Sequence, residues 1–419
     1  MTNKFKILHV VSGTTQNGAF KGALILHKAL LNLKIESSIL NDCYDCKKKS
    51  KNNFQIKNIN NLKKNTISKI IGFFYIFIEK FLKSLFLKNK RSSFTIGLLG
   101  FDISKTEEYK KADIVHIHWI DQGFIKISSL KNIKKPIIWT MRDMWAFSGG
   151  AHYTMDFKNY EDGKFSKIIK NYKKKNFGNN ICFIAISEWL KDQANKSITL
   201  KESKIKKIYN NIEFNKFKII SKETAKLNLH INTKKKILLF GAVNPQHKRK
   251  GWNIFIEALT KLDKSKYFLV IFGNFWSYQT LDKIGIEYKS FGFVNNFGKL
   301  NNIFSCADLL IFPSIQEAFG KIWVEAMACG TPVVCFNKTP PAEIINHKQN
   351  GFIVNNFESN SLIKGIEWMS NQFTVDEKIR VKIREKASKF DSHLIALEYK
   401  KLYEDILKKK NIIIDFDHK

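Results

Sequence analysis

The 419-residue sequence is 44% hydrophobic and 26% charged, ordinary values for a soluble globular chain with room for two cored domains. Its net charge of +34 invites anionic partners, whether nucleic acid, membrane surface or small molecule, although Lys-, Asn- and Ile-rich drift accounts for part of it. Of the six cysteines only Cys43 and Cys46 have metal or redox spacing, which excludes a zinc site built from paired cysteines and reads as a reduced, intracellular protein.

The N-terminus enters an apolar strand at once, Phe5 to Val11, without a signal-peptide h-region and cleavage site. A Gly-containing loop, Ser12 to Gly22, leads to a helix from Ala23 to Leu33, the opening of a nucleotide-type α/β unit. Its glycines do not spell the dinucleotide fingerprint, which excludes a nicotinamide or flavin site. Lys47 to Asn65 reads as a basic, polar loop. Between Ile67 and Arg91 the uncharged apolar run falls short of the roughly 20 residues that span a bilayer. Three readings stay open there: a buried core helix, an interfacial helix on anionic lipid through Lys80, Lys83, Lys88, Lys90 and Arg91, or a docking surface for another protein.

Ala112 to Trp119 is the next strand, with His116 and His118 on one face and Trp119 at its end. No acidic or cysteine residue is nearby, which speaks against a metal site. A strand from Pro136 to Met141 leads to Arg142 and Asp143. Ligands gather at the carboxyl ends of strands in open α/β sheets, so both strand ends should line one crevice. Arg142 cannot act as a base at neutral pH; it suits a phosphate or an acidic acceptor group, with Asp143 holding it. After a further strand, Ile181 to Ile186, a domain boundary falls near Asn211.

The pattern then restarts. A strand from Lys236 to Val243 passes Gly241 and reaches the basic loop Lys248-Arg249-Lys250-Gly251, which opens a helix at Trp252. Cations entering a helix N-terminus reinforce its attraction for phosphate. Strands at Phe268 to Gly273 and Tyr288 to Phe293 precede a short helix, Asn301 to Ala307. Leu309 to Phe312 then runs into a turn at Pro313 and a helix from about Gly320 to Gly330, where Pro332 forbids continuation. Glu317 and Glu325 bracket this junction. They would repel a phosphate at the helix start unless aimed elsewhere, and sugar hydroxyls are the obvious partners. Strands at Val333 to Phe336 and Asn350 to Val354 and helices over Ser359 to Lys408 complete the chain.

Glu317-x7-Glu325, with Phe319-Gly320 between the acids and the Gly330-Thr331-Pro332 stop, resembles the Glu-x7-Glu motif of the retaining family-4, or group 1, glycosyltransferases. The likeness, to bacterial exopolysaccharide and colanic-acid-type enzymes, covers nearly the whole chain. It is strongest from Lys236 to Val354 and from Asp113 to Tyr153, and absent from Lys47 to Lys90. It implies an α/β GT-B fold, two Rossmann-like parallel-sheet domains facing across a cleft. Residues 1–210 would bind the acceptor, residues 211–390 the nucleotide-sugar donor, and 391–419 would form a helix packing back toward the first domain.

The implied reaction moves a sugar from a UDP- or GDP-linked donor to a hydroxyl of a glycan or lipid-linked acceptor, with retention at the anomeric carbon. It would run in the cytoplasm; a peripheral contact to anionic membrane through residues 67–91 stays one of the three readings of that stretch, most of which the resemblance does not cover. The resemblance puts Lys250 and Arg249 on the pyrophosphate, with backbone N–H groups of Phe319, Gly320 and Lys321 beside them and Gly241 lining the donor site. Glu317 would hold hydroxyls of the transferred sugar and Glu325 the ribose. Lys250, Glu317, Arg142 and Asp143 form the implied catalytic set, and Gly18, His116, His118 and Trp119 the acceptor side. Two positions depart from the family: Ala242 where an arginine is usual, and Arg142 where relatives carry histidine. No Asp-x-Asp cluster is seen near these segments, so metal independence is expected, with no cofactor beyond the substrate. The rivals are a GT-B phosphorylase or epimerase and a basic nucleic-acid-binding protein, and for the latter the sequence offers no stacking-aromatic module.

Overall fold

The apolar runs read from the sequence are apolar on both faces, and parallel strands covered by helices on both sides require that. The computed structural model describes residues 5–14, 17–42, 59–62, 66–86, 93–120, 123–157 and 161–417. It divides into a unit of Met1–Asn211 with Ser392–Lys419, and a unit of Ile212–Asp391.

In the first unit the strands are β1 (Lys6–Val10), β2 (Glu36–Asn41), β3 (Ile59–Asn61), β4 (Ile114–Ile117), β5 (Ile137–Met141), β6 (Ile181–Ala185) and β7 (Ile205–Lys207). They form one parallel sheet in the order β3-β2-β1-β4-β5-β6-β7. The order reverses between β1 and β4, and a doubly wound sheet opens its ligand crevice at such a point.

Two local readings need correcting. The first helix spans Gly18–Asn32 and so starts at Gly18, not Ala23. Asn17 explains the early start: its side chain accepts from the Thr14 amide at 2.9 Å and its own amide donates to the Thr14 carbonyl at 2.9 Å, closing the turn before Gly18. Strand β3 lies inside the stretch read as a loop, pairing Ile59 with Ile39 on β2. The rest of the Lys47–Asn65 stretch apart from residues 59–62, the Cys43/Cys46 pair, and Lys88, Lys90 and Arg91 lie outside the described residues.

The helix Thr66–Phe86 is not a core helix. It turns Gly72 and Glu79 inward and leaves Ile67, Ile70, Phe73, Phe74, Phe77 and Phe81 exposed, Phe73 by 72%. The cause is Glu79, whose buried carboxylate accepts from the amides of Ile96 (2.8 Å) and Gly97 (3.0 Å). A carboxylate taken inside needs such donors, and satisfying it fixes the apolar side outward. Among the described residues no helix is long and apolar enough to cross a membrane.

The last helix, Ser392–Asp417, belongs to the first unit. Its Ile395, Ala396, Tyr399, Leu402 and Tyr403 are buried in one cluster with Phe5, Ile7, Leu26 and Leu30.

The second unit has strands β8 (Lys236–Gly241), β9 (Tyr267–Phe272), β10 (Tyr288–Ser290), β11 (Leu309–Phe312), β12 (Val333–Phe336) and β13 (Gly351–Val354). Their parallel order is β10-β9-β8-β11-β12-β13, with its reversal between β8 and β11. Phe240, Trp252, Phe255, Leu259, Ile271 and Met369 anchor its core.

Candidate active site

In the second unit the candidate residues gather where β8 and β11 end. After β8 the chain makes a short turn over Lys248–Lys250 and enters the helix Trp252–Lys261 through Gly251. Gly251 has φ +73°, and a Cβ there would lie 1.8 Å from the Pro313 carbonyl oxygen, so only glycine lets this loop close on the turn after β11. The Arg249 carbonyl then accepts from the Ile315 amide at 2.8 Å. Backbone thus ties the basic loop to the acidic one.

That tie brings three predicted residues together. Arg249 Nη1 donates to Glu317 Oε2 at 3.0 Å, and Lys250 Nζ bonds the same oxygen. Glu317 is buried. Burial pulls the Lys250 ammonium below its usual range, Glu317 opposes that, and neighbouring Arg249 adds to it. Arg249, rather than Lys248, meets Lys250 at this carboxylate and supplies a second cation there. Gly241 ends β8, and its missing side chain makes room for the Phe272 ring, 2.6 Å from where a Cβ would sit.

The helix Lys321–Ala328 follows Gly320, whose φ of +70° turns the chain beside the Phe312 ring. Buried Phe319 packs on Trp323 and Phe390, and Trp323 Nε1 donates to the Phe319 carbonyl at 2.7 Å. At the other end two arginines hold the terminal carbonyls: Arg384 donates to Ala328 and Arg380 to Cys329, the latter at 3.2 Å. The helix is pinned at both ends. Its first turn, beginning at Lys321, carries the positive end of the helix dipole. Glu325 lies just past the first turn, partly exposed. Two cations and a helix start can hold a diphosphate, while a carboxylate between them can accept from hydroxyls.

The first unit places its predicted residues differently. Arg142, just after β5, donates to Asn210 Oδ1 (2.6 Å) and His118 Nδ1 (3.0 Å). Asp143 does not hold it: its Oδ2 accepts from Trp119 Nε1 (2.8 Å) and lies 2.7 Å from His152 Nδ1, while Oδ1 accepts from the Trp145 amide (2.9 Å). Consecutive side chains leaving a strand point to opposite faces, which separates Arg142 from its neighbour. His116 points into the core with both nitrogens engaged, by Tyr403 (2.8 Å) and Thr140 (2.7 Å). Gly18 opens the first helix with open space where a side chain would be.

His9, Thr140, His152 and Asn210 take part in this network without having been singled out. His9 is opposite His116 in the β1–β4 register, and its Nδ1 lies 2.8 Å from His118 Nε2. Strand pairing sets that contact, and no local motif announces it. His9, His116 and His118 also lie close enough to hold a metal ion. Their chemistry argues against one, because both nitrogens of His116 and of His118 and Nδ1 of His9 are engaged with one another or with Arg142, Tyr403 and Thr140, and a guanidinium 3.0 Å from His118 repels a cation. Burial holds all three well below the usual imidazole range, the Arg142 charge adding to it, so they are neutral at pH 7. Buried Lys173, also unforeseen, staples the loop after Asp143: its Nζ donates to the carbonyls of Trp145 and Ser148 and lies 3.9 Å from the Trp145 ring centre.

The two Rossmann-like parallel-sheet units give the chain the GT-B fold. Similar solved structures include a glycosyltransferase from Rickettsia africae (TM-score 0.65, 18% identity, covering 97% of this chain and 99% of that one). Anabaena HepE in complex with UDP and glucose is a second (TM-score 0.64, 15% identity, covering 96% and 100%). Residues 221–390 match the model of the glycosyl transferases group 1. This chain therefore carries a group 1 glycosyltransferase domain in its second unit.

Among curated proteins it is similar to an uncharacterized 41.2 kDa protein in the cps region of Klebsiella pneumoniae, 27% identical over 301 residues, 71% of this chain and 80% of that protein. It is also similar to the N,N'-diacetylbacillosaminyl-diphospho-undecaprenol alpha-1,3-N-acetylgalactosaminyltransferase of Campylobacter jejuni, 27% identical over 349 residues, 80% of this chain and 81% of that protein.

Proposed function

We propose that this protein transfers a hexosyl-type sugar from a nucleoside-diphosphate sugar to a hydroxyl of a glycan or lipid-linked acceptor in cell-surface polysaccharide assembly. The observation that carries this reading is the convergence of Arg249 and Lys250 on Glu317 at the β8/β11 switch point. The cations take the donor diphosphate and stabilise it as the glycosidic C–O bond breaks and charge grows on the leaving group. Glu317, relieved of its cations, accepts from hydroxyls of the transferred sugar, and Glu325 from the ribose. Transfer proceeds on the same face of the sugar, the acceptor proton passing to the departing phosphate oxygen, so configuration is retained. Arg142 and Asp143 act on the acceptor side, with His118 and Trp119 positioning them.

UDP- and GDP-linked sugars are the proposed donors, UDP being the nucleotide bound in HepE. No metal is required in this scheme, since the two cations stand where a metal would. The enzyme works at the cytoplasmic face of the membrane, docked on anionic lipid through the exposed side of the Thr66–Phe86 helix.

A thermal-shift screen of UDP-, GDP- and ADP-sugars on the purified protein should identify a stabilising donor. Product NMR with that donor should show the donor's anomeric configuration, and turnover should persist in EDTA. If Lys250→Ala and Glu317→Ala both turn over nucleotide sugar like wild type, the site is wrong.

A further inference from the structure

Arg142 is a part-buried guanidinium at the carboxyl end of β5. Its hydrogen-bond partners are the neutral Asn210 and the neutral imidazole of His118, and Nε is buried without a partner. Among the described residues no carboxylate pairs with it, and the adjacent Asp143 is engaged by Trp119, His152 and Trp145.

The position is nonetheless built. His118 is backed by His9 at 2.8 Å, so the ring that accepts from Arg142 is itself fixed. Glycine at 22 leaves the space in which the guanidinium sits, since a Cβ there would lie 2.6 Å from Nη1. A cation withdrawn from water costs free energy unless an anion compensates it, and here the protein provides rigid neutral donors and acceptors instead. Burial lowers its pKa to about 10, which leaves it charged at neutral pH. The first helix, Gly18–Asn32, packs against it through Gly22, beside the β1/β4 switch point where this type of sheet takes ligands.

We propose that Arg142 is an anion-recognition site of the first unit, so that the acceptor carries an anionic oxygen group, a phosphate or a carboxylate, which the guanidinium holds. This rests on the glycosyltransferase reading for the word acceptor, but the site stands or falls separately from the donor chemistry. The anion restores neutrality to the guanidinium and selects acceptors by charge. Lysine cannot replace it, because an ammonium cannot bond Asn210, His118 and an anion in one plane.

The test is calorimetric titration of the full chain with an alkyl diphosphate and, separately, with a methyl glucuronide, on wild type, Arg142→Gln, Arg142→Lys and Lys250→Ala. One anion should bind wild type at a site that Lys250→Ala keeps and that Arg142→Gln weakens at least tenfold; which of the two does so distinguishes a phosphate source from a carboxylate source. Arg142→Gln should melt no lower than wild type, because it removes an uncompensated charge, and should keep its thermal shift with nucleotide sugar. Equal anion binding by wild type and Arg142→Gln, loss only in Lys250→Ala, or no binding of either anion would overturn the proposal. If the anion site behaves as described and no nucleotide sugar binds, the glycosyltransferase reading fails while the anion site remains.

Discussion

Arg249 donates to Glu317 at 3.0 Å although 68 residues of sequence separate them, and Lys250 shares the same oxygen. The carboxylate is the counterion of both cations. On the proposed reading the donor's diphosphate would replace it, carrying more charge and more acceptor oxygens.

Removing the carboxylate should therefore reveal the exchange. Glu317→Ala leaves two adjacent cations without a partner and should cost about 3 kcal/mol of stability. The nucleoside diphosphate that serves as leaving group should recover most of it, so the ligand-induced rise in Tm should exceed that of wild type. Lys250→Ala should slow sugar transfer by roughly 100-fold or more. An equal ligand shift in Glu317→Ala and wild type would show that the cations do not meet the diphosphate.

The loop tie makes a second prediction. Gly251→Ala meets both a positive φ and the Pro313 carbonyl, and should cost about 2 kcal/mol or more with loss of donor binding. Gly285 has the same φ of +73° with open space around it, so Gly285→Ala should cost only about 1 kcal/mol and leave donor binding intact. Denaturant midpoints and donor titrations of the two variants read this directly.

The proposed docking of the Thr66–Phe86 helix on a membrane would depend on charge and on apolar surface together. Replacing Lys69, Lys80 and Lys83 by Gln should weaken sedimentation with anionic vesicles by roughly 100-fold, at about 1 kcal/mol for each lysine. Phe73→Ser with Phe77→Ser should weaken binding to neutral and anionic vesicles alike. Vesicle binding unaltered by either set would exclude the helix as the contact.

The buried histidines set a pH dependence. His9, His116 and His118 have folded pKa values well below 6.5, so below that pH the unfolded chain binds protons that the folded chain does not. Stability is therefore fully present above about pH 6.5 and falls as the pH drops toward the folded values, by up to about 1.4 kcal/mol per pH unit for each histidine. His118→Asn should flatten the decline in urea midpoint between pH 6.5 and 5 by about a third. A midpoint independent of pH over that range would contradict the buried neutral network.

The second unit was the more legible in sequence, for physical reasons. Its strands are continuous apolar runs, and Gly251, Gly320 and Pro332 mark its loops, so the approach of Lys250 to Glu317 followed from strand order. The first unit hid more. Strand β3 has three residues, too few for any periodicity, and Gly18 and Gly22 looked like loop residues while lying in a helix. The histidine network depends on the register that puts His9 opposite His116, which tertiary pairing decides. Arg142 and Asp143 are adjacent in sequence, which suggests a pair, yet strand alternation sends them to different neighbours.

The last helix returns to the first unit, where Tyr403 and Tyr399 close the hydrogen bonds of His116 and Thr140. The whole of the second unit is therefore an insertion within the first. On the ribosome the second unit is synthesised and able to fold while the first still lacks Ile395 to Tyr403 from its core. Vectorial synthesis thus reverses the order of the sequence. The second unit can mature first, and the first closes only when the helix Ser392–Asp417 emerges.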